Sequence, residues 1–267
     1  MNYLITMLGA AEGATSASEF FSGAFNIDQA VAFTFFIGSM ALMGATAFFW
    51  LEMRNVASKW RTSLLISGLI TFIAAVHYFY MRDYFVSTGG ESPTFFRYVD
   101  WILTVPLLCC EFYLITKKAG GTLGTLWKLI FASVVMLVTG YFGEAVATTP
   151  TAQWVWGLIS GVAHFYIIYL VWFGEIAKLA EKSSGAIKKA NNTLAWFVLA
   201  GWAIYPIGYI LGTEGGLFGY DFGVNAAFMD VVYNIGDAVN KIGFGLVIYA
   251  LVQTETKNEK VGQPATA

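Results

Sequence analysis

The chain has 267 residues, 57% of them hydrophobic and only 12% charged, with a formal net charge of −2. A soluble domain carries about a quarter charged residues, so this composition excludes a water-soluble globule, and the slight acidity argues against a nucleic-acid partner. No metal-ligand cluster, phosphate-cradling glycine loop or nucleophile elbow is present to suggest an enzyme. The two cysteines, Cys109 and Cys110, are adjacent in an apolar stretch. Neighbours on a helix point about 100° apart, which argues against a bridge and leaves them as small buried hydrophobes.

Residues 1–20 form an N-terminal segment in which apolar Tyr3 to Leu8 precede Gly9-Ala-Ala-Glu-Gly-Ala. This resembles a secretory signal peptide without its usual basic opening. A helix that crosses a bilayer needs about 20 mostly apolar residues. Seven segments within residues 21–252 meet that length: 30–51, 63–84, 94–115, 125–146, 154–176, 194–212 and 226–252. Short polar connectors such as Thr88-Gly-Gly-Glu-Ser-Pro93 separate them. The expected fold is an all-α membrane protein, one seven-helix bundle, followed by a polar tail over 253–267.

Basic residues are retained on the cytoplasmic side of a membrane. Arg54, Lys59 and Arg61 follow span one, and Lys117, Lys118 and Lys128 flank the link from three to four. Lys178, Lys182, Lys188 and Lys189 lie between five and six, and Lys257 and Lys260 follow seven. That side therefore faces the cytoplasm, which places the N-terminus outside and the C-terminus inside an inner cell membrane.

Span three carries Arg97, Asp100, Thr104 and Glu111. At 100° per residue these fall on one narrow stripe, with Glu111 about 16 Å along the axis from Asp100. Acids in series across a membrane are the expected form of a proton relay, against the plainer reading of ion pairs that pin helices together. In span seven Lys241 sits deep in the apolar run, where an ammonium costs roughly 3 kcal/mol on insertion scales. Asp237 lies four residues earlier, on the same helix face. Asp100 and Asp237 are both expected outward of the Lys241 nitrogen, with Arg97 compensating their extra negative charge. A lysine among aromatics is also a natural Schiff-base former.

Arg97-Tyr-Val-Asp100-Trp101-Ile-Leu-Thr104-Val-Pro106-Leu-Leu-Cys-Cys-Glu111 resembles the third helix of the microbial rhodopsins, nearest to their proteorhodopsin branch. Asp237-Ala-Val-Asn-Lys241 is similar to the seventh helix of that family, and Trp202-Ala-Ile-Tyr205-Pro206 to the sixth. The resemblance implies all-trans retinal on Lys241 as a protonated Schiff base, in a light-driven outward proton pump. It assigns Asp100 as proton acceptor, Glu111 as proton donor and Asp237 as second counterion, with Thr104 completing the family's three-position signature. It places His77 beside Asp100, whose proton affinity it tunes.

The same resemblance implies a retinal pocket with Trp101, Leu108, Trp202, Tyr205 and Tyr209, joined by Tyr98, Met136, Gly140, Trp156 and Ser160. Leu108 stands where green-absorbing members have leucine and blue-absorbing ones glutamine. Partners implied are the lipid bilayer, protons and further copies in a homo-oligomer, a pentamer or hexamer. Of the two outer glutamates that bacteriorhodopsin uses for prompt proton release, Glu214 matches one and Met229 replaces the other. Asp230 and Glu144 are read as solvated or capping acids, and His164 as a structural polar group. The alternative reading is a photosensor that signals through a partner; the inner donor Glu111 favours the pump.

Overall fold

The computed structural model describes residues 26–212, 224 and 226–262. The signal-like segment 1–20 and Glu214 lie outside the described residues. Among those described there are helices and no strands. Seven are long and apolar enough to cross a membrane: α1 Ile27–Glu52, α2 Ser58–Ser87, α3 Thr94–Ala119, α4 Leu123–Val146, α5 Pro150–Glu181, α6 Gly185–Leu211 and α7 Ala226–Lys260. They pack in sequence order and α7 closes the ring against α1, α2 and α6. Large apolar side chains such as Phe131 and Phe165 are 70% exposed on the perimeter, as suits a chain solvated by lipid.

Local chemistry sets the helix ends. Asn26 caps α1 reciprocally with Gln29, and Thr122 caps α4 with Thr125, which satisfies orphan backbone donors. Pro150 opens α5 behind its cap Thr149, where the missing N–H costs nothing. Helix α7 runs about two turns beyond the expected end at 252. The extra turns hold because their polar groups have partners elsewhere: Glu255 accepts a bond from the Ser184 hydroxyl, 2.8 Å, and the Thr256 hydroxyl accepts the Ala57 N–H, 3.0 Å. Two spans contain π-turns, Phe142–Val146 in α4 and Phe197–Gly201 in α6.

Alternating helix direction brings every loop-flanking lysine and arginine named for the cytoplasmic side to one end of the bundle. Charged and polar side chains run down the interior, from Asp230 and Arg97 near the opposite end, through Asp100, Asp237 and Lys241, to Glu111 toward the basic end.

Candidate functional site

Lys241 is 2% exposed. Its Nζ donates to Oδ2 of Asp100 on α3 and, at 2.5 Å, to Oδ2 of Asp237 one turn earlier on α7. An ammonium taken from water needs this degree of pairing, since one lost partner at a buried pair costs roughly 3–5 kcal/mol. Two tyrosines hold Asp237: Tyr205 donates to Oδ1 at 2.8 Å and Tyr78 to Oδ2 at 3.2 Å. The Tyr78 ring packs against Gly38, where an added Cβ would stand 2.8 Å from a ring carbon. That glycine lets α1 and α2 close tightly enough for the phenol to reach α7.

Asp100 is fully buried, and its Oδ1 has no hydrogen-bond partner among the described residues. His77 Nδ1 stands 3.9 Å from this oxygen and 2.8 Å from the Ile73 carbonyl. A carbonyl only accepts, so Nδ1 carries the hydrogen on that side of the ring. The Thr104 hydroxyl donates to the Asp100 backbone carbonyl, 2.9 Å, and thus bonds the main chain of the acid instead of its carboxylate.

Arg97 makes its direct bonds one step further toward the end opposite the lysines: it donates to Asp230 Oδ1, 2.8 Å, and Asn234 Oδ1, 3.0 Å, and stays within electrostatic reach of Asp237. Phe35 and Tyr233 cover its guanidinium at 5.5 and 5.2 Å. Asp230 is therefore not a solvated group: it is buried and also accepts the Ser92 hydroxyl at 2.8 Å. Glu144 likewise is no free surface acid, for it takes the Tyr98 hydroxyl at 2.7 Å. The sequence carries a signal for the first of these. Asp230, Asn234, Asp237 and Lys241 fall at i, i+4, i+7 and i+11, one face of one helix. Asn234 and Tyr78, which hold Arg97 and Asp237, carry no charge that would mark them in a membrane span.

Glu111 is fully buried toward the basic end; Oε1 accepts the Ser67 hydroxyl at 3.3 Å and Oε2 has no partner among the described residues. Apolar side chains separate it from Lys241, with Phe112 edge-on to Phe244 at 5.7 Å and Leu108 and Val198 buried nearby in the same core.

Trp101, Leu108 and Trp202 belong to that core, with Tyr98, Met136 and Tyr205 packed against it. Trp101 meets Tyr205 edge-on at 4.7 Å and Tyr98 at 5.0 Å. Ser160 donates to the Met136 carbonyl, 2.7 Å, and an added Cβ on Gly140 would lie 3.1 Å from the Tyr98 oxygen. Trp156 and Tyr209 sit farther toward the end opposite the lysines: Trp156 stacks on Phe142 at 5.4 Å, and Tyr209 donates to the Gln153 carbonyl at 2.5 Å. His164 bonds the Val198 carbonyl at 3.2 Å. Retinal fits this donor set. It needs a primary amine shielded from water, a carboxylate beside that amine and an elongated apolar lining; Lys241, Asp100 and Asp237, and the aromatic core from α3 to α6 supply these.

The sequence profile of "Bacteriorhodopsin-like protein" matches residues 29–255. The chain is 45% identical over 226 residues to the green-light absorbing proteorhodopsin of Gamma-proteobacterium EBAC31A08, covering 84% of this chain and 87% of that one. It is 39% identical to the blue-light absorbing proteorhodopsin of Gamma-proteobacterium Hot 75m4, over 97% and 100% of the two chains. Its fold is similar to that of the blue light-absorbing proteorhodopsin from Med12, with TM-score 0.71, 40% identity and 84% and 98% coverage. Seven spans and bacterial relatives make this a multi-pass cell-membrane protein. The interior charge arrangement and these likenesses agree, and the chain belongs to the bacteriorhodopsin-like family.

Proposed function

We propose that this protein is a light-driven outward proton pump carrying all-trans retinal on Lys241 Nζ. The carrying observation is a buried amine clasped by two carboxylates, Asp100 and Asp237, with a third acid, Glu111, on the basic side of it. The names of the proteorhodopsin relatives support the same reading. With the basic end cytoplasmic, Asp100 and Asp237 face outward and Glu111 inward.

Retinal held on Lys241 would supply light-driven double-bond isomerisation. Every other step belongs to the chain. Asp100, whose Oδ2 already accepts from Nζ, takes the proton; its Oδ1 has no hydrogen-bond partner among the described residues. Asp237 accepts from Tyr205 and Tyr78 and is the second counterion of Nζ. Arg97, fixed on Asp230 and Asn234, holds positive charge on the exit side and favours onward movement of the proton. Glu111, set in apolar surroundings with Ser67 as its hydroxyl partner, is the donor that returns a proton to Nζ. Trp101, Trp202, Tyr205 and Leu108 line the chromophore and exclude water from it. Leu108 supports green absorption, and the family resemblance supports a homo-oligomer of five or six copies.

The decisive experiment expresses the chain in cells supplied with retinal and follows pH in unbuffered suspension. Illumination should acidify the medium, a protonophore should abolish this, and the dark absorption maximum should lie in the green. A coloured protein that leaves the pH unchanged is a photosensor, and a blue maximum removes the role given to Leu108. Glu111→Gln keeps the shape and removes the proton. It should leave proton transfer to Asp100 intact and slow recovery by about 10²-fold, the usual worth of a positioned proton donor; recovery at the normal rate would assign the donor elsewhere. His77→Asn should shift the titration of Asp100, seen as the pH at which dark colour changes. An unmoved titration would leave His77 with its Ile73 bond alone.

A further inference from the structure

The hydrogen-bond ladder of α6 changes register beside the site. At its π-turn the Trp202 N–H donates five residues back, to the Phe197 carbonyl at 2.8 Å. Pro206 has no N–H to offer the Trp202 carbonyl, which takes the Tyr205 N–H instead at 3.2 Å. The Gly201 carbonyl thereby loses the donor a regular helix would supply. A side chain from another span replaces it: the buried Asn240 amide, next to Lys241, donates to Gly201 at 2.9 Å. Only glycine permits this approach, because a Cβ on residue 201 would collide with Asn240 Oδ1. Asn240 also adjoins the Tyr205 hydroxyl, whose hydrogen goes to Asp237.

The apolar block between Lys241 and Glu111 lies just to the basic side of this contact. Phe244 meets Phe112 at 5.7 Å and Phe197 at 6.3 Å, and a Cβ on Gly243 would come 2.6 Å from the Phe197 ring. A proton leaving Glu111 for Nζ must pass this block. Phe197 stands in the π-turn, where the ladder is already broken and the helix deforms at least cost.

We propose that Asn240 is a positioning residue: its bond to the Gly201 carbonyl latches the joint of α6 over the Phe112–Phe197–Phe244 block, and releasing the latch admits the Glu111 proton. The latch senses the site through Tyr205. When the Nζ proton has moved to Asp100, Asp237 has lost its cation and draws harder on its remaining donors, Tyr205 among them. This inference rests on the pump reading above.

Asn240→Leu removes the donor at nearly constant volume, and Gly201→Ala dislodges the same amide from the other side. Time-resolved infrared spectroscopy of the retinal-loaded protein separates the carboxyl bands of Asp100 and Glu111. In either variant, the Asp100 band should rise at close to the wild-type rate. Loss of the Glu111 proton should be accelerated about 5-fold, the worth of one neutral hydrogen bond. The double variant should match either single one, because both break a single contact. Equal changes in both steps, no change in either, or additive effects would overturn the latch. If the wild type itself takes up retinal yet shows no carboxyl changes, the pump reading falls and not the latch alone.

Discussion

Lys241→Arg is expected to give a folded, colourless protein that does not respond to light. The guanidinium keeps a positive charge between Asp100 and Asp237, so the buried carboxylates are not stranded, yet it offers no nucleophilic amine to a retinal aldehyde. Lys241→Ala should be colourless as well, but also less stable, since Asp100 and Asp237 would face each other without a cation and a broken buried pair costs roughly 3–5 kcal/mol. The contrast separates the lysine's two roles, as structural charge and as covalent anchor. Visible absorption after retinal addition, with thermal unfolding in parallel, reads both. Colour in the arginine variant would mean that retinal is bound elsewhere or without a covalent link.

Asp100→Asn is expected to keep the pigment, shift its absorption to longer wavelength and abolish net transport. Asp237 remains to balance the cation, so the protein should still assemble. A carboxylate beside Nζ stabilises charge held on the nitrogen, and light moves that charge along the polyene; removing the carboxylate therefore narrows the gap between ground and excited states. The amide accepts no proton from Nζ, and with the acceptor gone the transfer should slow by about 10²-fold or more. Acidification at the wild-type rate in this variant would show that Asp237 is the working acceptor.

Much of this site is legible in the linear chain because helical spacing is strict. Lys241 and Asp237 sit four residues apart, and Asp100, Thr104 and Glu111 repeat along one stripe; the structure places the first pair in contact and brings Asp100 to the same nitrogen. The fold class follows from seven apolar runs. What escapes is whatever depends on the third dimension. Arg97 could have turned toward Asp100 or toward Asp230, and only packing against Phe35 and Tyr233 decides. Tyr78 looks like one more membrane aromatic until Gly38 lets it reach Asp237. The Asn240 contact depends on a break in the ladder of another span, for which Pro206 is the sole local sign. The last two turns of α7 lie beyond the apolar run because hydropathy ignores the distant residues, Ser184 and Ala57, that satisfy their polar groups.

The connectivity of the charges has a consequence for how the chain is made. The polar contacts between α1 and α2 are uncharged among the described residues: Thr46 meets Thr71 at 2.8 Å, Ser39 donates to the Ala75 carbonyl at 3.1 Å and the Trp50 indole to the Leu65 carbonyl at 3.4 Å, groups that membranes tolerate cheaply. That hairpin can settle as soon as it leaves the ribosome. The third helix enters with Arg97 and Asp100, while their oppositely charged mates, Asp230 and Lys241, are synthesised last. Ionic closure is thus postponed until biogenesis is nearly complete, and a truncated product lacking its final helix is left with an uncompensated interior, a ready mark for quality-control proteolysis.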